Sequence, residues 1–354
     1  PLLDNAQRAL VGTIYKQESQ EEAFECGLQI VKENLPAMLK VLLGDAGLKE
    51  QEWLPHVARL SENFGQEIKQ AIPHQEMSFP QDGGLLLYCW RGGMRSRSVA
   101  LLLSALGMRD IFVLDKGYKG YREWVRKRLE NIPANMPLVV LRGMTGVGKT
   151  CILNNLEKHM PGSTIDLEGL AQHRSSILGA VGLTPRTQKH FESLLVDRLN
   201  QLGPPPWFIE AESRKVGDII LPESLYLSLS RATQIVLEAP LAYRIEHLGG
   251  EYTSSTSWQI DVAKQLPFLE QRLGKKWHGV LSAWLNEGKW AEVTEILLTH
   301  YYDQRYGKTL QHAEPVDTLD VRDTELLSRL FSLREQFSRE YAVLLSSTKD
   351  FVNQ

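Results

Sequence analysis

The sequence has few cysteines and lacks long apolar segments. Its 354 residues include three cysteines, Cys26, Cys89 and Cys151. They exclude a disulfide scaffold and show neither the paired spacing nor the histidine cluster of a structural zinc site. No apolar run is long enough to span a membrane, and the chain shows no signal peptide. These absences predict a cytoplasmic protein that does not associate with a membrane.

An excess of charge of either sign is also missing. The net charge of −3 excludes a global attraction to nucleic acid, so any polyanionic partner must be held by local basic patches. Hydrophobic residues make up 43% of the chain, which is typical of a globular protein, and the length suffices for two or three domains.

The segment 85–98, LLLYCWRGGMRSRS, carries the first chemical signature. Its apolar start predicts a buried strand over 85–88, and the apolar spacing after Arg95 predicts a helix. Cys89 then lies at a strand-to-helix turn, where backbone amides and the helix N-terminus favour the reactive thiolate. We predict Cys89 as the catalytic residue of an anion-binding loop that consists of Trp90, Arg91, Gly92, Gly93, Met94 and Arg95. The alternative is a small apolar side chain packed at a strand end.

Helices and a basic segment surround this loop. Apolar spacing predicts helices over much of residues 1–75, including 53–72, and the run 109–114 predicts a second strand. The segment 117–129, GYKGYREWVRKRL, predicts a helix. Its basic side chains form either a solvated face or a patch for a phosphate backbone, and they are Lys119, Arg122, Arg126, Lys127 and Arg128.

A phosphate-binding loop follows the segment 131–137, NIPANMP, which predicts a domain linker. Strand-like residues 138–141 precede GMTGVGKT and an apolar-periodic helix follows it, which is the context that the motif G-x-x-x-x-G-K-[ST] requires. Backbone amides of such a loop cradle a diphosphate or triphosphate, Lys149 contacts its terminal oxygens, and Thr150 is a candidate ligand for Mg²⁺. The predicted diphosphate-binding residues are Gly143, Met144, Thr145, Gly146, Val147, Gly148, Lys149 and Thr150.

Short strands over 164–166, 207–209, 234–237 and 315–321 predict an α/β fold with a parallel sheet, and residues from 242 onward are mostly helical. Polar residues follow the strand ends, where open α/β sheets bind ligands. The candidate site residues there are Asp166, His173, Arg174, Glu210, Glu212 and Arg214, the last within the trio Ser213, Arg214 and Lys215. Glu210 or Glu212 is the candidate for a metal or its water, and His173 for proton transfer. The alternatives are solvated charges at strand ends and a packed histidine.

Nine segments together resemble the tRNA 2-selenouridine synthase family. They are VGTIYKQ (11–17), YCWRGGMRS (88–96), GYK (117–119), GMTGVGKT (143–150), IDLEGLAQHR (165–174), EAESRKVG (210–217), LPESL (221–225), RIEHLGGEY (244–252) and YYDQRY (301–306). The resemblance implies a rhodanese-like domain over 1–132 and a P-loop kinase-like core over 133–240. A mostly helical part over 241–354 would pack on that core. Family members begin with a strand that carries Asp-Val-Arg. Because nothing of that kind occurs here, we expect a strand of the rhodanese-like sheet to be missing at the N-terminus.

The resemblance also implies a reaction. The substrate would be tRNA with 2-thiouridine at position 34, whose sulfur receives a geranyl group from geranyl diphosphate before selenophosphate replaces sulfur by selenium. The loop 143–150 would bind the diphosphate, with ATP or GTP as the alternative occupant, and Cys89 would take or position selenium. Trp90, Tyr118 and Tyr121 would stack on an unstacked base. No tightly bound cofactor is expected, selenophosphate synthetase is a candidate partner, and the oligomeric state is left open.

Two other functions are compatible with the motifs. The spacing C-x5-R from Cys89 to Arg95 also occurs in cysteine-dependent phosphatases of the rhodanese fold, although Tyr88 stands where a histidine would precede the cysteine. A P-loop NTPase with a rhodanese-like binding module is the other alternative. Neither accounts for the matching segments at both ends of the chain.

Overall fold

A computed structural model of the chain describes residues 3–44, 84–90, 94–105, 110–211, 213–305, 307 and 314–352. The chain divides into two compact units, Pro1–Trp124 and Val125–Gln354. The domain boundaries at 132 and 240 stay predictions. Within the described ranges, no helix combines the length and the apolar character needed to cross a bilayer.

The first unit begins with two helices, α1 (Asn5–Gln17) and α2 (Gln20–Gly44). A capping box starts α1, since the Asp4 carboxylate accepts from the Gln7 amide at 2.8 Å while the Gln7 side chain accepts from the Asp4 amide at 2.9 Å. The side-chain amide of Asn34 on α2 donates to the same Gln7 side-chain oxygen at 2.9 Å and links the two helices. The helix predicted over 53–72 lies outside the described residues.

A strand–helix–strand–helix segment follows, which comprises β1 (Leu85–Leu87), α3 (Met94–Ala105), β2 (Ile111–Val113) and α4 (Gly117–Glu130). The residues of α4 after Trp124 belong to the second unit. The two strands are parallel, with Leu86 opposite Phe112, so the predicted strands and both helices are confirmed. The predicted burial of 85–88 is wrong in part, since Leu86 is 42% and Tyr88 62% exposed. In the part of this unit that the structure describes, the sheet has two strands.

The second unit is built on a five-stranded parallel sheet, which confirms the predicted α/β fold. Its strands are β3 (Leu138–Gly143), β4 (Thr164–Ile165), β5 (Trp207–Glu210), β8 (Thr233–Glu238) and β9 (Asp317–Asp320). They lie in the order β4-β5-β3-β8-β9, so that β3 is central and the chain leaves it first to one side and then to the other. A small antiparallel hairpin of β6 (Lys215–Val216) and β7 (Ile219–Ile220) was not predicted, because strands of two residues have no measurable period.

Helices cover both faces of this sheet. They are α5 (Lys149–His159), α6 (Leu167–Ala171), α7 (Gln188–Asn200), α8 (Glu223–Arg231) and α13 (Leu326–Val352). Val139 and Leu141 of β3 belong to a buried cluster with Leu153 of α5 and Leu330 of α13. Because successive strand residues point to opposite faces, Val140 and Arg142 face the other side of the sheet.

The predicted helical region after 242 is confirmed. It comprises α9 (Leu241–Tyr252), α10 (Trp258–Leu273), α11 (Val280–Asn286), α12 (Trp290–Leu297), a 3₁₀ turn (Lys275–Trp277) and a π-helical turn (Leu298–Tyr302). These helices enclose a second buried cluster that includes Leu248, Val262, Leu266, Leu285 and Leu297. The chain then returns to the sheet as β9.

Candidate functional site

The predicted phosphate-binding loop connects β3 to the N-terminus of α5, which starts at Lys149. Gly148 precedes the helix with φ 88°, and Gly146 has φ 80°, a backbone region that only glycine enters readily. A Cβ at Gly146 would lie 2.9 Å from the Leu248 side chain, so helix α9 packs directly against the loop. The loop therefore has the left-handed turns and the helix N-terminus of an anion cradle.

Two side chains at the start of α5 face the mouth of this cradle. The Lys149 ammonium donates to the Gly143 carbonyl at 3.3 Å, which folds it back over the loop. The Thr150 hydroxyl donates to the Glu168 carboxylate at 3.2 Å. An ammonium, a hydroxyl and a carboxylate thus meet where the phosphate groups of a ligand would lie.

A cavity of about 340 Å³ opens from the loop and extends along the sheet face that carries Val140 and Arg142. Its size falls in the range of sites for small organic ligands. Charged and hydroxyl groups occupy part of its wall, and the apolar part consists of Val140, Ala211, Tyr226, Leu229, Leu248 and Tyr252. The cavity therefore offers an anion site and an apolar wall side by side.

Arg142 is a cationic group of this cavity that the sequence did not indicate. It lies one residue before the loop, and its Nε has no hydrogen-bond partner among the described residues. Burial lowers the pKa of Arg142, and the nearby Tyr226 opposes this effect in part. An incompletely paired guanidinium in a cavity is a site for an anion, since pairing would recover part of its desolvation cost.

A buried arginine of α9 fixes the loop from the side. Arg244 is 5% exposed, and its Nε donates to the Thr145 carbonyl at 2.8 Å. Its two terminal nitrogens bind the Asp303 carboxylate at 3.0 and 2.5 Å. The bidentate ion pair holds the guanidinium in one orientation, so the backbone at Thr145 is positioned by residues far away in the sequence.

Glu168, rather than the predicted Glu210, supplies the carboxylate beside Thr150. Glu210 is fully buried at the end of β5 and accepts from the Glu168 amide at 2.7 Å. Asp166 caps α6 by accepting from the Gly169 amide at 2.7 Å. Burial raises the pKa of Asp166, while its bonds with Gly169 and Glu210 oppose this effect. Asp166 and Glu210 therefore hold the turn that presents Glu168 and do not line the cavity.

Arg174 does line the cavity. Its Nε pairs with Glu251 at 3.0 Å, another nitrogen donates to the Val181 carbonyl at 2.8 Å, and its guanidinium lies 4.8 Å from the centre of the Tyr252 ring. Burial raises the pKa of Tyr252 to about 12, so this phenol stays neutral. Arg174, Glu251 and Tyr252 together form a polar end of the cavity.

The remaining candidates lie elsewhere. His173 is packed between Gly179 and Gly217, where a Cβ on either glycine would approach its ring within 2.6 Å. Burial lowers the pKa of His173, which favours the neutral ring. Arg214 is exposed and pairs with Glu223 at 3.5 Å. Neither side chain lines the cavity, and Glu212 lies outside the described residues.

The predicted cysteine site lies in the first unit, where Cys89 follows β1 and is half-buried. The Tyr118 amide donates to the Cys89 carbonyl at 2.7 Å, which brings the start of α4 against the cysteine. Gly117 has φ 56°, and a Cβ there would lie 2.2 Å from the same carbonyl oxygen. The predicted segment GYK thus has a structural purpose, because only glycine allows α4 to begin in contact with Cys89.

The structure describes only some of the other residues of the predicted anion-binding loop. Arg91, Gly92 and Gly93 lie outside the described residues, and Met94 begins α3. Arg95 is half-buried on the first turn of α3. The structure therefore places Cys89 against the beginning of α4, and its role stays a prediction.

Glu168, Arg142 and Arg244 are the site residues that sequence reasoning missed. Glu168 carries a signal, since it is an acid three residues beyond the end of β4, close to Asp166, which directly follows that strand. Arg142 stands directly before the motif, but an arginine inside a strand gives no indication of the face it occupies. Arg244 acts over a long sequence separation, which a single sequence does not reveal.

The parallel sheet, the central strand and the glycine loop at the helix N-terminus define the second unit as a P-loop α/β domain. Residues 136–328, more than half of the chain, match the family model described as the tRNA 2-selenouridine synthase AAA domain. By this match the chain belongs to the tRNA 2-selenouridine synthase family.

Individual relatives cover most of both chains. A tRNA 2-selenouridine synthase of Sulfurovum sp. is 30% identical over 341 residues, which is 88% of this chain and 83% of the relative. The protein of that name from Hydrogenovibrio crunogenus is 29% identical over 338 residues, with the same shares. The one from Shewanella piezotolerans is 27% identical over 335 residues, 86% and 81% of the two chains. No solved structure matches the chain.

Proposed function

We propose that the chain is a tRNA 2-selenouridine synthase, a transferase that acts on tRNA with 2-thiouridine at position 34. It first attaches a geranyl group to the sulfur and then replaces the S-geranyl group by selenium from selenophosphate. The observation that carries the proposal is the P-loop cavity, in which the anion cradle with Lys149 and Arg142 adjoins an apolar wall. A nucleotide would also use the cradle, but an isoprenoid diphosphate uses the cradle and the wall together.

The first step makes the sulfur a leaving group. The 2-thio sulfur attacks C1 of geranyl diphosphate, an S–C bond forms, and the C1–O bond breaks with release of diphosphate. The N3 proton of the uracil ring passes to water. Lys149, the loop amides and Arg142 stabilise the negative charge that develops on the departing oxygen. The apolar wall, which includes Leu229 and Leu248, holds the hydrocarbon chain. No nucleotide hydrolysis is required.

A divalent metal ion fits beside this site. The Thr150 hydroxyl and the Glu168 carboxylate are oxygen ligands of the kind that Mg²⁺ prefers, and they already lie 3.2 Å apart. These two residues would hold the ion, which would neutralise charge on the diphosphate.

The second step takes place at Cys89 in the first unit, which we assign as a rhodanese-like domain. S-alkylation makes C2 of the uracil ring more electrophilic, so selenium of selenophosphate adds there and geranyl thiolate leaves. Water then cleaves the Se–P bond and phosphate departs. Cys89, whose carbonyl accepts from the Tyr118 amide at the start of α4, positions selenophosphate for this attack, and the N-terminus of α4 favours the anionic groups involved.

Mass spectrometry of tRNA nucleosides tests the proposal. The protein is incubated with 2-thiouridine tRNA and geranyl diphosphate, and selenophosphate is then added. We expect an S-geranyl nucleoside in the first incubation and a selenonucleoside in the second. An unchanged thionucleoside in both, with folded protein, would overturn the proposal, and turnover of ATP instead would reassign the cavity to a nucleotide.

A further inference from the structure

A row of four aromatic rings runs from the residue after Cys89 along helix α4. Trp90 stacks on Tyr118, with ring centres 5.1 Å apart and planes 18° apart. Tyr118 lies 6.0 Å from Tyr121, and Tyr121 lies 6.0 Å from Trp124 with planes 27° apart. Residues three apart on a helix are neighbours on its surface, so α4 supplies three consecutive members and Trp90 extends the row toward Cys89.

The end of this row at Trp90 is open to solvent. Trp90 is 56% exposed and the neighbouring Tyr88 62%, while Trp124 at the other end is 44% exposed. Large aromatic side chains grouped at the surface mark binding sites more often than isolated ones do. Stacking on Tyr118 also holds the Trp90 ring in one orientation, so a partner would find a platform that is already ordered.

Charge around the row favours an anionic partner. Lys116 and Lys119 are exposed on either side of Tyr118, and Arg95 lies on the first turn of α3. Stacked aromatic rings beside basic side chains are what proteins use to bind single-stranded nucleic acid, since every base has a flat face and every phosphate a charge. A purely apolar protein partner would not need the lysines.

We propose that Trp90, supported by Tyr118, Tyr121 and Trp124, is the platform on which an unstacked base of single-stranded RNA lies next to Cys89. The proposal rests on the proposed function, because it assigns the row to the base at position 34 of the tRNA anticodon loop. It goes beyond that function by naming one face of one ring as the contact and the rest of the row as its support.

Fluorescence of a modified RNA tests the platform directly. The full chain is titrated into an anticodon stem-loop RNA with 2-aminopurine at position 34, whose fluorescence falls when the base stacks on an indole. Loss of one base–aromatic stack weakens binding roughly tenfold. We therefore expect Trp90→Ala to raise the Kd about tenfold and to abolish most of the quenching, whereas Trp90→Phe keeps a flat ring and stays within about threefold of wild type.

Controls separate stacking from general effects. Phe268 is an exposed aromatic side chain outside the row (43%), and Phe268→Ala should bind RNA like wild type. Trp90 is exposed, so its replacement should leave the melting temperature unchanged. If Trp90→Ala binds with the wild-type Kd and quenches 2-aminopurine equally, the platform is wrong.

The same protein samples distinguish this failure from failure of the proposed function. Product formation by wild type together with an unchanged kcat/KM for Trp90→Ala would overturn the platform alone. Absence of product with wild type, while RNA binding still depends on Trp90, would overturn the proposed reaction and leave the RNA platform supported.

Discussion

The hydroxyl of Thr150 donates to the carboxylate of Glu168 across 3.2 Å, and this contact joins the phosphate-binding loop to the turn after β4. Replacing Glu168 by Gln removes a charge but keeps the shape of the side chain. We expect Mg²⁺-dependent geranylation to fall about 10- to 100-fold, as for other changes in metal surroundings. The check is the rate of S-geranyl nucleoside formation over a range of Mg²⁺ concentrations. Glu246→Gln, an exposed carboxylate of α9, is the control and should retain activity.

Substitutions of Cys89 and of Lys149 should each block a different step of the reaction. Cys89→Ser should geranylate tRNA but form no selenonucleoside, because the thiol is assigned to selenium. Lys149→Ala should lose roughly two to three orders of magnitude in geranylation, yet convert tRNA that already carries the S-geranyl group. Nucleoside mass spectrometry with each substrate measures both. Normal geranylation by Lys149→Ala would show that the diphosphate does not bind at the P-loop.

Arg142 should lower the free energy of unfolding but strengthen the binding of geranyl diphosphate. Because burial lowers the pKa of Arg142 and its Nε has no hydrogen-bond partner within the described ranges, Arg142→Met should leave the free energy of unfolding equal or raise it by up to about 1 kcal/mol. The same change should weaken geranyl diphosphate binding roughly tenfold through loss of a charge-assisted hydrogen bond. Urea unfolding and isothermal titration test the two effects.

Arg214 provides the comparison for Arg142. Arg214 is exposed, pairs with Glu223 and lies outside the cavity, so Arg214→Met should bind the diphosphate like wild type. A larger effect at Arg214 than at Arg142 would contradict the assigned binding site.

The Arg244–Asp303 pair should stabilise the P-loop domain. Arg244→Met leaves Asp303 and the Thr145 carbonyl without their guanidinium, and we expect a loss of about 3 kcal/mol in the free energy of unfolding. Arg329→Met removes the partner of Asp317 in an exposed ion pair and should cost under about 1 kcal/mol. Equal losses in denaturant titrations would show that Arg244 is not a structural clamp.

Glu157 should make the stability of this unit depend on pH. Burial pushes the pKa of Glu157 up, but hydrogen bonds from Arg198, Gly162 and Thr164 outweigh this effect, and the pKa of Glu157 is lowered. The resulting stabilisation is complete above the unfolded value of 4.5 and disappears as the pH falls through the lower folded value. Glu157→Gln should therefore lose about 1 kcal/mol at pH 7, since its carboxylate keeps 30% exposure. The difference from wild type should shrink as the pH falls below about 4.5, and an unchanged difference would exclude this linkage.

Most of the strands could be predicted because a short apolar run is followed by a turn. The run 138–141 and the loop after it define β3 and its ligand-binding end with no tertiary information, and β4, β5 and β8 follow the same pattern. In β9 only Leu319 is a buried apolar residue. Hairpin β6–β7 escaped because it depends on a turn at Gly217 rather than on apolar alternation. Local patterns thus predict elements, whereas pairing in two-residue strands is decided by tertiary packing.

The candidate site was predictable up to the backbone of the loop. Glycine spacing indicates the cradle, but it does not tell which carboxylate after a strand reaches Thr150. Glu210 ends β5 and Glu168 lies shortly after β4, and the choice depends on α6, whose N-terminus binds Glu210 and turns Glu168 outward. Side-chain direction after a strand end is set by such local caps, which the sequence alone leaves undecided.

The edge position of β9 has a consequence for how the domain is made. β8 ends at Glu238 and its parallel neighbour begins at Asp317, so the ribosome must deliver the intervening helices before the sheet can be completed. Until then β8 exposes unpaired backbone groups, and the apolar surface that α13 later covers is open to water. The P-loop domain should therefore depend on chaperones late in synthesis and acquire resistance to proteases only once both the strand at 317–320 and α13 have emerged.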